Sequence, residues 1–125
     1  MRLTGQITAK LKPTLTLSVQ GFAGDLSNKD FLIDTGCNLE LVLSAVEIAV
    51  LGWPLVEHAQ ITQADGTSVD IDLHAGILIM GDFARPILAA ALGTQPIIGM
   101  ELLQGWQLCL DIIAPNEGEI RLQPL

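Results

Sequence analysis

The chain has 125 residues, about the size of one domain, with 6 basic and 14 acidic residues and a net charge of −8. Half of it is apolar and 16% is charged, a folded, globular composition that excludes intrinsic disorder. Its few cations (Arg2, Lys10, Lys12, Lys29, Arg85 and Arg121) are scattered, so neither nucleic acid nor an anionic membrane is an expected partner.

The opening residues Met1 to Gln6 hold no apolar signal-peptide core. The most apolar stretch, Leu41 to Val56, is interrupted by Ser44, Glu47, Gly52 and Pro54. It is also shorter than the ~20 residues needed to span a bilayer. A soluble, cytoplasmic protein is the expectation. Cys37 and Cys109 are the two cysteines, too few for a zinc site or a disulfide framework. They read as buried, reduced thiols.

Leu3 to Ala9 and Thr14 to Val19 alternate apolar and polar residues around Pro13, which predicts two strands. Gly21 to Lys29 is rich in turn residues and reads as a hairpin loop. A strand over Asp30 to Ile33 then runs into Asp34-Thr35-Gly36-Cys37. An acid at the end of a buried strand is costly unless it is hydrogen-bonded, paired or used. Gly36 lets the backbone turn and approach closely, and the Thr35 hydroxyl can tie the turn to a neighbour. A plain strand-to-turn junction would use the same residues.

Leu39 to Leu43 alternates around Glu40 and predicts another strand. Ser44-Ala45-Val46-Glu47 has the form of a capping box and starts a short helix, bounded by Gly52 and Pro54. Gln60 to Leu73 is the clearest hairpin, with Asp65-Gly66 as a two-residue turn. Gly76 to Met80 and Phe83 to Ala91 form a second pair of strands around Gly81-Asp82. Gly93 to Pro96 breaks the run, and Ile97-Ile98-Gly99 is a short buried strand. Met100 to Leu103 makes about one helical turn, Trp106 to Ile112 a strand, and Glu119 to Leu122 the last strand. Many short strands with turn signals about every ten residues define an all-β barrel or sandwich.

The order of these parts resembles the single-domain, retropepsin-like (clan AA) aspartic proteases, above all their small bacterial and archaeal relatives. Asp34-Thr35-Gly36 matches their catalytic loop. Gln63-Ala64-Asp65-Gly66-Thr67 sits where they carry a flap hairpin, and Pro96-Ile97-Ile98-Gly99 matches the element that braces the catalytic loop. Gly99-Met100-Glu101-Leu102-Leu103 resembles the Gly-Met-Asp-Leu-Leu stretch of the bacterial relatives. The resemblance covers about residues 14 to 125 and implies one domain over 1–125. It implies an all-β, closed barrel or sandwich with one short helix and a flap.

The resemblance further implies a homodimeric aspartic endopeptidase that needs no cofactor or metal and acts on a peptide or protein. Asp34 would be catalytic, with Thr35 and Gly36 orienting it. Ala64, Asp65, Gly66 and Thr67 would form the flap, and Ile97, Ile98 and Gly99 the brace. The chemistry needs two carboxylates sharing one proton. This chain has one Asp-Thr-Gly, so the second Asp34 must come from a two-fold-related copy.

Two departures stand out. Cys37 stands where the family often has Ala or Ser, and Met100 stands where viral members carry an arginine that helps lock the dimer. Leu3 to Ile7 and Ile120 to Leu125 are candidates to pair across the two-fold and cover exposed edges. Leu32, Leu39, Ile61, Thr62 and Ile97 are the candidate pocket residues. The alternative function is a catalytically silent peptide- or protein-binding module of the same fold.

His58 and His74 lack a carboxylate at metal-ligand spacing and read as hydrogen-bonded or surface residues. Asp70 and Asp72 read as a solvated strand face, Ser44 as a cap, and Trp53 and Trp106 as core or interface.

Overall fold

The computed structural model describes all 125 residues. Ten strands and one short helix follow in the order β1 (Leu3–Thr8), β2 (Lys12–Gln20), β3 (Leu26–Ile33), β4 (Leu41–Leu43), α1 (Ala45–Leu51), β5 (Leu55–Thr62), β6 (Ser68–Met80), β7 (Phe83–Ala91), β8 (Ile97–Ile98), β9 (Trp106–Ala114) and β10 (Glu117–Pro124). The all-β class with a single short helix is the one the alternating pattern implies. Within it, the strands make one sheet in the order β5-β6-β7-β4-β8-β3-β2-β1-β10-β9. A further pairing of β2 with β6 (Ser18↔Ile79, Val19↔Leu78) brings the sheet round on itself.

Strand period decides which face each residue joins. Leu15, Leu17 and Val19 on β2 and Ile120 and Leu122 on β10 enter a main core of 20 buried residues, with Phe31, Leu78 and Met80 among them. β4 and the second half of β7 are covered on both faces, so Leu41 to Leu43 and Ile87 to Ala91 read as unbroken apolar runs. Leu41, Leu43 and Ala89 go to the main core. Val42 and Ala90 go with Ile71 to a smaller cluster on the other side.

α1 forms as its caps dictate. Ser44 is the N-cap and accepts from the Glu47 N–H, while its hydroxyl donates to the Glu47 carboxylate. Gly52, at φ 69, closes the helix in the left-handed region.

Several boundaries differ from the sequence expectation. β2 takes in Pro13, and β3 begins at Leu26, so the loop before it ends at Asp25. β6 runs unbroken through Gly76, where a Cβ would lie 2.4 Å from the Trp53 ring. Gly76 therefore makes room for an indole and does not break the strand. The turn after β5 has three residues, where two were expected. Gln63 N–H donates to the Thr67 carbonyl and Gly66 N–H to the Gln63 carbonyl. Ala64 and Asp65 hold the turn, and Gly66, at φ 87, takes the left-handed position that follows it.

The largest correction concerns the termini. β1 pairs with β10 of the same chain, from Leu3↔Leu122 to Gln6↔Glu119, so these strands already cover each other. The free edges are β5 and β9. Cys37 and Cys109 are free thiols, half-buried where full burial was expected.

Candidate active site

β3 delivers Asp34 to the end of the sheet beside β8, which runs parallel to it with Leu32↔Ile97 and Ile33↔Ile98 in register. The ladder continues past both strands, because Asp34 N–H donates to the Ile98 carbonyl at 3.0 Å. The chain then turns sharply. Cys37 N–H returns to the Asp34 carbonyl at 3.1 Å, and Gly36 N–H donates to Asp34 Oδ1 at 2.9 Å. That bond fixes one carboxylate oxygen and leaves the other open. Asp34 is half-buried, and Thr35 and Gly36 are exposed.

The segment Ile97, Ile98 and Gly99, with Met100, lies against this turn. Met100 N–H donates to the Cys37 carbonyl at 2.7 Å and Gly99 N–H to the Glu40 carbonyl at 3.1 Å. The backbones approach so closely that a Cβ on Gly99 would lie 2.0 Å from the Leu39 carbonyl oxygen. Only glycine fits there.

Asp34 lines a cleft of about 780 Å³. Its wall holds Gly36, Cys37, Asn38, Leu39 and Val42, Ile61 to Ala64 of the hairpin, and Ile97. Leu92 to Gln95 complete it. Asp34 is the single carboxylate in an otherwise uncharged lining of mixed apolar and polar residues. Of the expected pocket residues, Leu39, Ile61, Thr62 and Ile97 line the cleft and Leu32 does not.

Of the expected flap residues, Ala64 reaches the cleft, while Asp65, Gly66 and Thr67 stand at the exposed tip. Val42 was missed although its alternation with Leu41 and Leu43 was readable. Leu92 to Gln95 carried no signal beyond a broken strand.

The hairpin tip is tied by its own side chains. Asp65 Oδ1 accepts from the Thr67 hydroxyl at 2.6 Å and the Thr67 N–H at 3.0 Å. The hydroxyl bond first, then the backbone bond, holds the Asp65 carboxyl below its ordinary value of 3.8. A carboxyl with a lowered folded pKa contributes order above its unfolded pKa and loses it as pH falls through the folded one. The Thr67 amide resonance is therefore expected to titrate with a midpoint below 3.8. A midpoint at or above that value would show the tie absent in solution.

The histidines are occupied elsewhere. His58 Nδ1 lies 2.6 Å from Asp72 on the exposed face of the hairpin, and His74 Nδ1 lies 2.9 Å from the Trp53 carbonyl. No group of three or more His, Cys, Asp or Glu side chains is arranged to hold a metal ion. No helix is long and apolar enough to cross a membrane.

No protein-family model matches the chain, and no curated protein matches it. Among solved structures, the chain is similar to a retropepsin-like aspartic protease from Rickettsia conorii. The TM-score is 0.58 at 13% identity, over 100% of this chain and 97% of that one. At that identity the likeness establishes the fold.

Proposed function

We propose that the chain is a homodimeric aspartic endopeptidase in which one Asp34 from each copy activates water for peptide-bond cleavage. One observation carries the reading: a lone carboxylate, oriented by the Gly36 N–H, stands in an otherwise uncharged cleft between its own loop and a hairpin. Two such carboxylates at a two-fold axis cannot both ionise, so they share a proton. The ionised Asp34 takes a proton from water, and the protonated one donates a hydrogen bond to the scissile carbonyl. An extended peptide would lie along the cleft with apolar side chains against Leu39, Val42, Ile61, Leu92 and Ile97. Ala64, Asp65, Gly66 and Thr67 would fold over it as a flap and exclude water. Thr35, exposed beside Asp34, is free to meet its counterpart in the second copy. The reading places the protein in the cytoplasm, where two free thiols stay reduced.

The second copy needs a surface, and the termini are spent on each other. The edge strand β9 supports the role instead. It exposes Leu110, Ile112 and Ile113, at 38%, 61% and 68% of their surface, on an unpaired edge that a partner strand would cover. An Ile112→Glu variant is expected to weaken the dimer at least tenfold, about 1.4 kcal/mol, by placing a charge at that edge. Light scattering across a dilution series reads this directly. An unaltered chain that stays monomeric at every concentration would remove the second Asp34 and the mechanism with it.

Cleavage of an unfolded protein at acid pH, blocked by a statine-type transition-state mimic, tests the chemistry. Tight binding of the mimic with no cleavage would point to a silent peptide-binding module.

A further inference from the structure

Glu40 looks from the sequence like an ordinary polar residue in an alternating strand. Its surroundings give it more to do. Its backbone carbonyl receives the Gly99 N–H of the brace. Its side chain is only 19% exposed, and Oε1 accepts the Leu88 N–H of β7 at 3.0 Å. β4 begins one residue later, with Leu41 opposite Ala89, so the carboxylate extends the β4–β7 contact by one bond. Oε2 faces Arg85 Nη2 at 3.5 Å. Arg85, itself 24% exposed, turns its other nitrogen to the carbonyl of the fully buried Leu102 at 2.8 Å. Loop 34–40, the β7 strand and segment 99–102 thus meet at one half-buried ion pair. Neither residue lines the cleft.

We propose that Glu40 and Arg85 are positioning residues, a clamp that sets where the Asp34 carboxylate stands by locking its loop to the bracing segment. The part that concerns catalysis rests on the peptidase reading above. Arg85 comes from β7, not from the position after the bracing glycine, where this chain has Met100. Removing either partner leaves the other charge half-buried and unpaired, and the loop gives way before the core does. A catalytic group displaced by about an ångström can lose up to a hundredfold in rate.

The test compares amide hydrogen exchange in the unaltered protein, Arg85→Met and Glu40→Gln. Glu40→Gln keeps an oxygen for the Leu88 N–H, so it folds even if Arg85→Met does not. Exchange at Gly36, Gly99 and Met100 is expected to speed up at least tenfold relative to Val19 and Phe31 in the core. An unchanged ratio overturns the clamp. In peptidase assays, kcat per folded dimer is expected to fall at least tenfold with KM within twofold, since substrate touches neither residue. An unchanged kcat also overturns it. If the unaltered protein cleaves nothing, the peptidase reading fails, and the exchange ratios still decide the clamp.

Discussion

On the proposed peptidase reading, an Asp34→Asn variant is expected to lose about a thousandfold or more in kcat while keeping its fold and its solution mass. The substitution is isosteric. The amide oxygen still accepts the Gly36 N–H that orients Asp34 Oδ1, and the Asp34 N–H still donates to Ile98. On that reading, what disappears is the proposed acid–base pair. Neither copy can then take a proton from water or give one to the scissile carbonyl, and such proton transfers are worth about 10²–10⁴ in rate. The measurement is cleavage of an unfolded protein by matched preparations, with solution mass recorded on both. Undiminished cleavage by the variant would move the activity to another protein or another residue. Lost cleavage together with a lost dimer would make Asp34 a structural residue first.

A Gly99→Ala variant is expected to cost about 2–3 kcal/mol of stability, a loss typical of overpacking that backbone must absorb. The added methyl would press on the Leu39 carbonyl oxygen at 2.0 Å and the Cys37 carbonyl oxygen at 3.0 Å. Both are backbone atoms of the loop that carries Asp34, so no side chain can swing aside. The loop itself must lift, which breaks the Met100–Cys37 and Gly99–Glu40 bonds. Urea unfolding reads the loss as a lower midpoint at an unchanged slope. A change below about 0.5 kcal/mol would mean that the loop and brace are not in this contact in solution. The neighbouring Met100→Ala, at a side chain 42% exposed, serves as the mild comparison.

The Asp34 loop was legible because a costly residue type stood at an odd place: an acid after three apolar residues, with glycine two positions on. The brace was legible as an apolar pair ending in glycine. Residues close in sequence report on each other in this way. The hairpin was legible as a hairpin, yet its turn was not. Asp65-Gly66 is a favoured turn pair, but the register of Thr62 opposite Ser68 puts Ala64 in the turn and moves Gly66 to the position after it.

That β1 meets β10 of its own chain, and not of a second copy across a two-fold, was beyond reach. Leu3 and Leu122 are far apart in the chain, and alternation tells each strand which face to bury, not which neighbour to take. The Leu92 to Gln95 wall was illegible for a related reason. Those residues line the cleft because two strands converge there, and no single residue among them announces it. Glu40 was read only as the polar position of an alternating strand, because alternation does not see the Leu88 amide that its carboxylate receives.

The two tryptophans divide the molecule into two optical windows. Trp53 is 5% exposed, lies under Gly76 of β6, and donates from Nε1 to the Gln20 carbonyl at 2.8 Å. Trp106 begins β9, is half-buried, and stacks on Phe83 with ring centroids 6.4 Å apart. With no tyrosine in the chain, the ultraviolet emission comes from these two indoles alone. Single Trp→Phe variants would then separate loosening at the root of the hairpin from events at the β9 edge. One instrument could follow events at both places in the same sample, with no label attached.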